Sequence, residues 1–93
     1  MRQYELMVFF PLEEDQHKPG RELLLADLGN NGAEILKTDE IGDRDLAYEV
    51  KKRRRGKYVL FTIKADPEKI TVLDRIFKLN ANLLKYMFVK VED

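Results

Sequence analysis

Cysteine is absent from the 93 residues. Disulfides and thiolate metal sites are thereby excluded, which suits a reducing compartment. Histidine occurs once, as His17, inside the polar stretch from Leu12 to Gly20. A lone surface histidine with no orienting partner reads as a bystander rather than a base. Glycine-rich nucleotide loops are missing. Glu13, Glu14 and Asp15 adjoin one another, but local carboxylates alone form no cation cage. Long hydrophobic runs are also lacking. The opening stretch from Met1 to Phe10 is interrupted by Gln3 and Glu5 and closed by Pro11. It is too short for a signal peptide core and far too short to cross a bilayer. Internal repeats are absent. These absences lead to an expected soluble, cytoplasmic protein with no cofactor, metal, membrane contact, small-molecule substrate or catalytic constellation.

What is present is charge of one sign in one place. Seventeen basic residues balance seventeen acidic ones over the whole chain. Yet Lys51, Lys52, Arg53, Arg54, Arg55 and Lys57 crowd into seven positions with no acid among them. Setting these six aside leaves eleven basic residues against seventeen acidic, so the remainder is net −6. A positive hairpin tip on an acidic body suits a nucleic acid partner at one place rather than general attraction to polyanions. Arg and Lys at a flexible tip can reach several phosphates, each contact releasing counterions. The plain alternative is a solvated, merely charged turn. Asp39, Glu40, Asp43 and Asp45 offer another: pairing with part of the cluster across the hairpin. An exposed tip predicts that replacing Arg53, Arg54 and Arg55 by Ala leaves folding nearly intact.

Ninety-three residues with 44% hydrophobic content make one domain, 1–93, with one modest core. Residues 2–10 read as a strand with Tyr4, Leu6, Val8 and Phe10 on one side and Glu5, Met7 and Phe9 on the other. Both faces turn apolar towards its end, as in a central strand. After the polar connection 12–20 a short helix is expected, with Pro19 near its first turn and Leu24, Leu25 and Leu28 buried. Gly32 ends it in the left-handed conformation. Residues 34–51 form a long strand with a bulge or bend at Gly42 and a clean alternation of Leu46, Tyr48 and Val50. Tyr58 to Ala65 is the next strand, with Val59, Phe61 and Ile63 opposite Tyr58, Leu60 and Thr62. Asp66-Pro67-Glu68 starts a second helix that runs to about Leu79 and buries Ile70, Leu73, Ile76 and Phe77. Asn80 is expected to end it in the left-handed conformation. Leu83 to Val91 is the last strand, with Tyr86 and Phe88 opposite Met87, Val89 and Val91. The order βαββαβ predicts a two-layer α+β sandwich of ferredoxin-like form: an antiparallel four-stranded sheet of order 4-1-3-2 with two helices on one face.

With the elements in this order, the whole chain resembles the bacterial ribosomal small-subunit protein six family. The resemblance is carried by Arg2-x-Tyr4-Glu5 and by Gly32-Ala33. It continues in Gly42-x-Arg44-x-Leu46-Ala47-Tyr48-x-Val50-x-Lys52 and Gly56-x-Tyr58-Val59-Leu60-Phe61. It ends in Phe77-Lys78-Leu79-Asn80-x-x-Leu83-Leu84-Lys85-Tyr86-Met87. Each motif alone is weak; their order and spacing make the match specific. The resemblance implies a ribosomal structural protein that binds the central domain of the small-subunit ribosomal RNA, as a heterodimer with small-subunit protein eighteen. By it, Arg2, Arg44 and the basic hairpin become candidate RNA contacts, and Leu46, Ala47 and Tyr48 candidate partner contacts. Arg44, Asp45 and Glu49 become charged guards of an exposed edge strand.

Three positions depart from the family pattern. Glu49 replaces a usual Pro, which predicts a more regular ladder there. Asp45 replaces a second basic residue. The chain stops at Asp93, where many relatives carry a longer tail, so partner contacts by such a tail are expected to be missing.

Two other readings use the same fold. An RNA-recognition-motif protein would stack bases on the uncovered sheet face. The run Arg55-Gly56-Lys57-Tyr58-Val59-Leu60-Phe61 is similar to that module's signature, but its stacking positions fall on Lys57 and Val59, which carry no ring. An acylphosphatase-like enzyme needs an Arg-bearing phosphate loop after the first strand. Here Pro11-Leu12-Glu13-Glu14-Asp15 would repel phosphate.

Overall fold

The computed structural model describes residues 1–91. Residues 92–93, which end the expected domain and on which the expectation about a tail falls, lie outside the described residues. Six elements follow in the predicted order: β1 (Arg2–Phe10), α1 (Glu14–Asn30), β2 (Glu34–Val50), β3 (Arg53–Ala65), α2 (Pro67–Phe77) and β4 (Lys85–Lys90). The sheet runs β2-β3-β1-β4 with every neighbour antiparallel. Read from its other edge, this is the expected 4-1-3-2.

Alternation along the two central strands builds the core. Tyr4, Leu6, Val8 and Phe10 of β1 and Val59, Phe61, Ile63 and Ala65 of β3 are buried against Leu24 and Leu28 of α1 and Leu73 and Phe77 of α2. Leu25, Ile70, Ile76, Tyr86 and Phe88 pack around them, half-buried. Each fully buried aliphatic or Phe side chain contributes on the order of 1.5–3 kcal/mol. The opposite sheet face carries Met7, Phe9, Tyr58, Leu60, Met87 and Val89, partly open to solvent.

The start of α1 differs from expectation. It begins at Glu14, so Pro19 lies inside the helix. Glu13 sits at the N-cap without a side-chain capping bond, and the only local start signal is the pair of acids Glu14 and Asp15 in the first turn. The Glu13 carbonyl instead accepts from the amides of Gln16 and His17 at 3.0 and 2.8 Å. Tertiary packing decides the matter, because His17, Gly20, Leu24 and Leu28 form one buried stripe. His17 is therefore not a surface residue: it is 6% exposed, with its ring 5.1 Å from that of Phe10. Gly20 is required by close approach. A Cβ there would stand 2.6 Å from the Asn82 carbonyl oxygen.

The other end of α1 follows the sequence. Gly32 takes φ +74. The Gly32 amide donates to Gly29 at 3.1 Å and the Ala33 amide to Leu28 at 2.9 Å, which is the paired closure of a Schellman motif. The end of α2 does not. Asn80 is absent from the positive-φ residues. It is buried instead; its side-chain amide donates to the Gly20 carbonyl at 3.2 Å and its Oδ1 accepts from the Asn82 amide at 3.0 Å. Asn80 thus clamps α1 to the α2–β4 connection rather than supplying a left-handed turn.

Candidate nucleic-acid interface

Beyond the last β1–β3 pair, Phe10 with Lys57, β2 and β3 continue as a two-stranded hairpin. Its turn is Lys51-Lys52, closed by the pairing of Val50 with Arg53. Both turn residues have positive φ, 49° and 65°. A two-residue type I′ turn requires this, and it matches the twist of the flanking strands. The basic run is therefore only partly a tip. Arg53 to Lys57 belong to β3, and their side chains alternate across the ladder.

This placement divides the six basic residues. Arg53 is partly buried, with 28% of its side chain exposed. It pairs with Glu13 at 2.7 Å and donates from Nη2 to Gln16 Oε1 at 3.0 Å. Arg53 is therefore not the exposed tip residue expected from the sequence, and its replacement should cost stability. Arg55 pairs with Asp45 at 3.1 Å and Arg54 lies 3.8 Å from Glu49. Asp45 does meet the cluster across the hairpin, whereas Asp39 pairs with Lys37 and Glu40 with Arg21. The Lys51 ammonium donates to the carbonyls of Leu83 at 2.9 Å and Ala81 at 3.3 Å. Lys52 and Lys57 make no ion pair among the described residues, nor does Arg44, whose guanidinium donates only to the neighbouring Asp43 carbonyl at 2.9 Å.

Arg44 stands opposite Gly56 in the ladder, so both share one face. Arg2 is exposed but pairs with Ala65 at the other end of β1, about 27 Å from Phe10 along a strand. The structure does not bring it to the hairpin.

Leu46, Ala47 and Tyr48 are brought together. Asp45 pairs with Arg55 and Val50 with Arg53, so the four residues between them on β2 face Arg54 alone. The segment bulges outward. The clean alternation expected for Leu46, Tyr48 and Val50 is interrupted, and Glu49 in place of Pro does not restore a regular ladder. With Asp45, Glu49, Arg54 and Arg55, these three residues line an open concavity of about 530 Å³. Tyr48 is 63% exposed, its ring 5.0 Å from the Lys85 ammonium, a cation–π distance. Further back along β2, Gly42 has φ +103 and marks a register shift after Glu40, the bulge its glycine predicted. An earlier shift leaves Leu36 unpaired between Ile35 and Lys37; nothing in the sequence marked it.

The base-stacking positions read from the sequence do not face the open surface. Val59 is buried in the core and Lys57 pairs with Phe10 on the helix-covered side. The aromatics of the open face are Phe9 and Tyr58, stacked on each other at 4.7 Å. Burial, followed by the charge of Glu5, pushes the Tyr58 hydroxyl pKa up.

The residues that hold the hairpin, Glu13, Gln16, Ala81, Leu83 and Lys85, were not singled out from sequence as hairpin contacts. They lie far from it along the chain, so no local signal could mark them. No group of three or more His, Cys, Asp or Glu side chains converges to hold a metal among the described residues. No described helix is long and apolar enough to cross a membrane.

The model of the family described as Ribosomal protein S6 matches residues 3–90. The chain is 53% identical over 93 residues to small ribosomal subunit protein bS6 of Treponema denticola, covering 100% of both. It is 42% identical over 92 residues to the protein of the same name from Treponema pallidum, covering 99% of each. Among solved structures, the 30S ribosomal protein S6 of Thermotoga maritima superposes with a TM-score of 0.84 at 20% identity, covering 97% of this chain and 87% of that one. At that identity the likeness is one of fold.

Proposed function

The chain belongs to the ribosomal protein S6 family of the small subunit, and from that premise we propose that it binds the central domain of the small-subunit ribosomal RNA together with small-subunit protein eighteen. The family is structural rather than enzymatic and its place is the cytoplasmic ribosome. The domain over 1–93 would act as one unit in that assembly.

One observation supports the reading most directly. Cations without an acidic partner among the described residues, Arg44, Lys52 and Lys57, share one hairpin with the outward bulge Leu46-Ala47-Tyr48. The first set offers charge to phosphates; the second offers an apolar and aromatic surface to a protein. Exposed Arg54 and, at the far end of the sheet, Arg2 would add contacts. Zero formal net charge over the whole chain makes the isolated protein a weak ligand for RNA. The partner would supply the missing basic surface, and the two would bind cooperatively.

The test is titration of the protein into labelled central-domain ribosomal RNA, with and without protein eighteen, at two salt concentrations. Tight, salt-sensitive binding only with the partner is expected. Equal affinity with and without it would overturn the cooperative reading. Tight binding to unrelated single strands without a partner would favour base stacking on the open sheet face instead.

A further inference from the structure

Lys51 occupies an unusual position on three counts. It has a positive φ at the first turn position, where Asn is favoured and an unbranched L side chain is strained. It is one of the six residues whose charge suggested phosphate contact. Yet its ammonium is directed back onto the protein, to two backbone carbonyls in the α2–β4 connection, Ala81 and Leu83. Both oxygens lie outside helix and strand, and an ammonium with three donors and free rotation can serve both.

The hairpin needs such a contact. Beyond Phe10 it has lost its neighbour β1, and an isolated two-stranded hairpin is marginal in water. Its ladder is further weakened by the bulge at 46–49. Three tethers compensate from three directions. Arg53 ties it to the Glu13–Gln16 end of α1, Lys85 of β4 lies against the Tyr48 ring, and Lys51 reaches the connection between α2 and β4. Of these, only Lys51 holds the turn itself.

We propose that Lys51 is a positioning residue rather than an RNA contact: it latches the hairpin turn to the α2–β4 connection, so that Lys52, Arg44 and Lys57 meet RNA phosphates in one preset arrangement. The proposal rests on the RNA-binding reading above for its consequence, but the latch itself is a property of the free protein. Preset geometry strengthens binding by reducing the ordering needed on association. A phosphate contact, in contrast, registers in the salt dependence. The two roles therefore separate experimentally.

Full-length wild type, Lys51→Met and Lys51→Arg would be compared by amide hydrogen exchange alone, and by titration with protein eighteen and central-domain ribosomal RNA over a salt series. In Lys51→Met, amides from Arg53 to Gly56 should exchange roughly tenfold faster while core amides such as Leu6 and Phe61 stay protected. Affinity should fall several-fold, with the slope of log affinity against log salt unchanged. Lys51→Arg, which keeps the donors, should restore both. A slope reduced by ~0.7–0.9 with unchanged exchange would make Lys51 a phosphate contact and overturn the proposal. Unchanged exchange with unchanged affinity would overturn it too. If wild type binds no RNA even with the partner, the functional reading fails, while the exchange data still decide whether the latch exists.

Discussion

At the scale of single residues, His17 shows how far environment outweighs identity. On the buried face of α1 it packs on Phe10, and neither ring nitrogen has a hydrogen-bond partner among the described residues. Burial first, then the charges of Lys57 and Arg21, lowers its pKa below 6.5; the Glu14 carboxylate, 3.8 Å from Nδ1, opposes this weakly from an exposed position. A histidine with a depressed folded-state pKa binds fewer protons folded than unfolded. Its neutral form thus contributes stability that is present above about pH 6.5 and is lost as pH falls towards the folded value. Urea unfolding should show stability declining between pH 7.5 and 5.5, and His17→Phe should flatten that decline. Since this is the only histidine, its NMR titration reads the shifted pKa directly. A midpoint at or above 6.5 would contradict the structure. Asp74 is the counterpart on α2. The Tyr86 hydroxyl, donating at 2.7 Å, and then Lys78 hold its carboxyl below the usual range, while burial first, and then the same contact, drives the Tyr86 hydroxyl well up.

At the scale of elements, the β2–β3 hairpin joins two conflicting demands. Its turn geometry favours glycine at the second position, which is Lys52 with φ 65°. Charge for RNA favours lysine. Lys52→Gly should therefore stabilise the fold by about 0.5–1 kcal/mol through relief of left-handed strain, measured by urea unfolding. The same change should weaken RNA assembly and reduce the log–log salt slope by ~0.7–0.9 if Lys52 reaches a phosphate. Stability and affinity moving in opposite directions would mark the strain as part of the function. A loss of stability would show that the Lys52 side chain holds the turn in some other way.

At the scale of the whole molecule, the equal numbers of acids and bases conceal a division of labour. Arg53 and Arg55 pair closely within the fold, and Arg54 more loosely. Arg44, Lys52 and Lys57 do not pair among the described residues. Changing the latter three together to Ala should lower the salt slope by up to ~2–3 units and leave unfolding nearly unchanged. Arg53→Ala should do the reverse. It gives up a half-buried ion pair and a hydrogen bond, costing on the order of 1 kcal/mol, with little effect on the slope. Urea unfolding alongside RNA titration of the two variants checks both halves. Equal slope losses would mean that RNA displaces Glu13 from Arg53.

The sequence by itself determined the six elements, their order, the buried faces of β1, β3 and α2, and the family. Period-two and helical patterns over Tyr4–Phe10, Val59–Ala65 and Ile70–Phe77 are local and strong, and Gly32 and Gly42 have backbone roles that few other residues can fill. It also placed the basic charge on one hairpin. Tertiary structure alone decided which of those charges remain available. It also decided that α1 starts at Glu14 in spite of Pro19, that His17 is buried, and that Asn80 clamps rather than turns. For the clamp and for the engaged charges the deciding partner is distant in sequence: Gly20 for Asn80, Glu13 for Arg53, Leu83 for Lys51. A charge run declares its sign in one dimension, but whether it meets a carboxylate, a carbonyl or water is settled only when the chain closes in three.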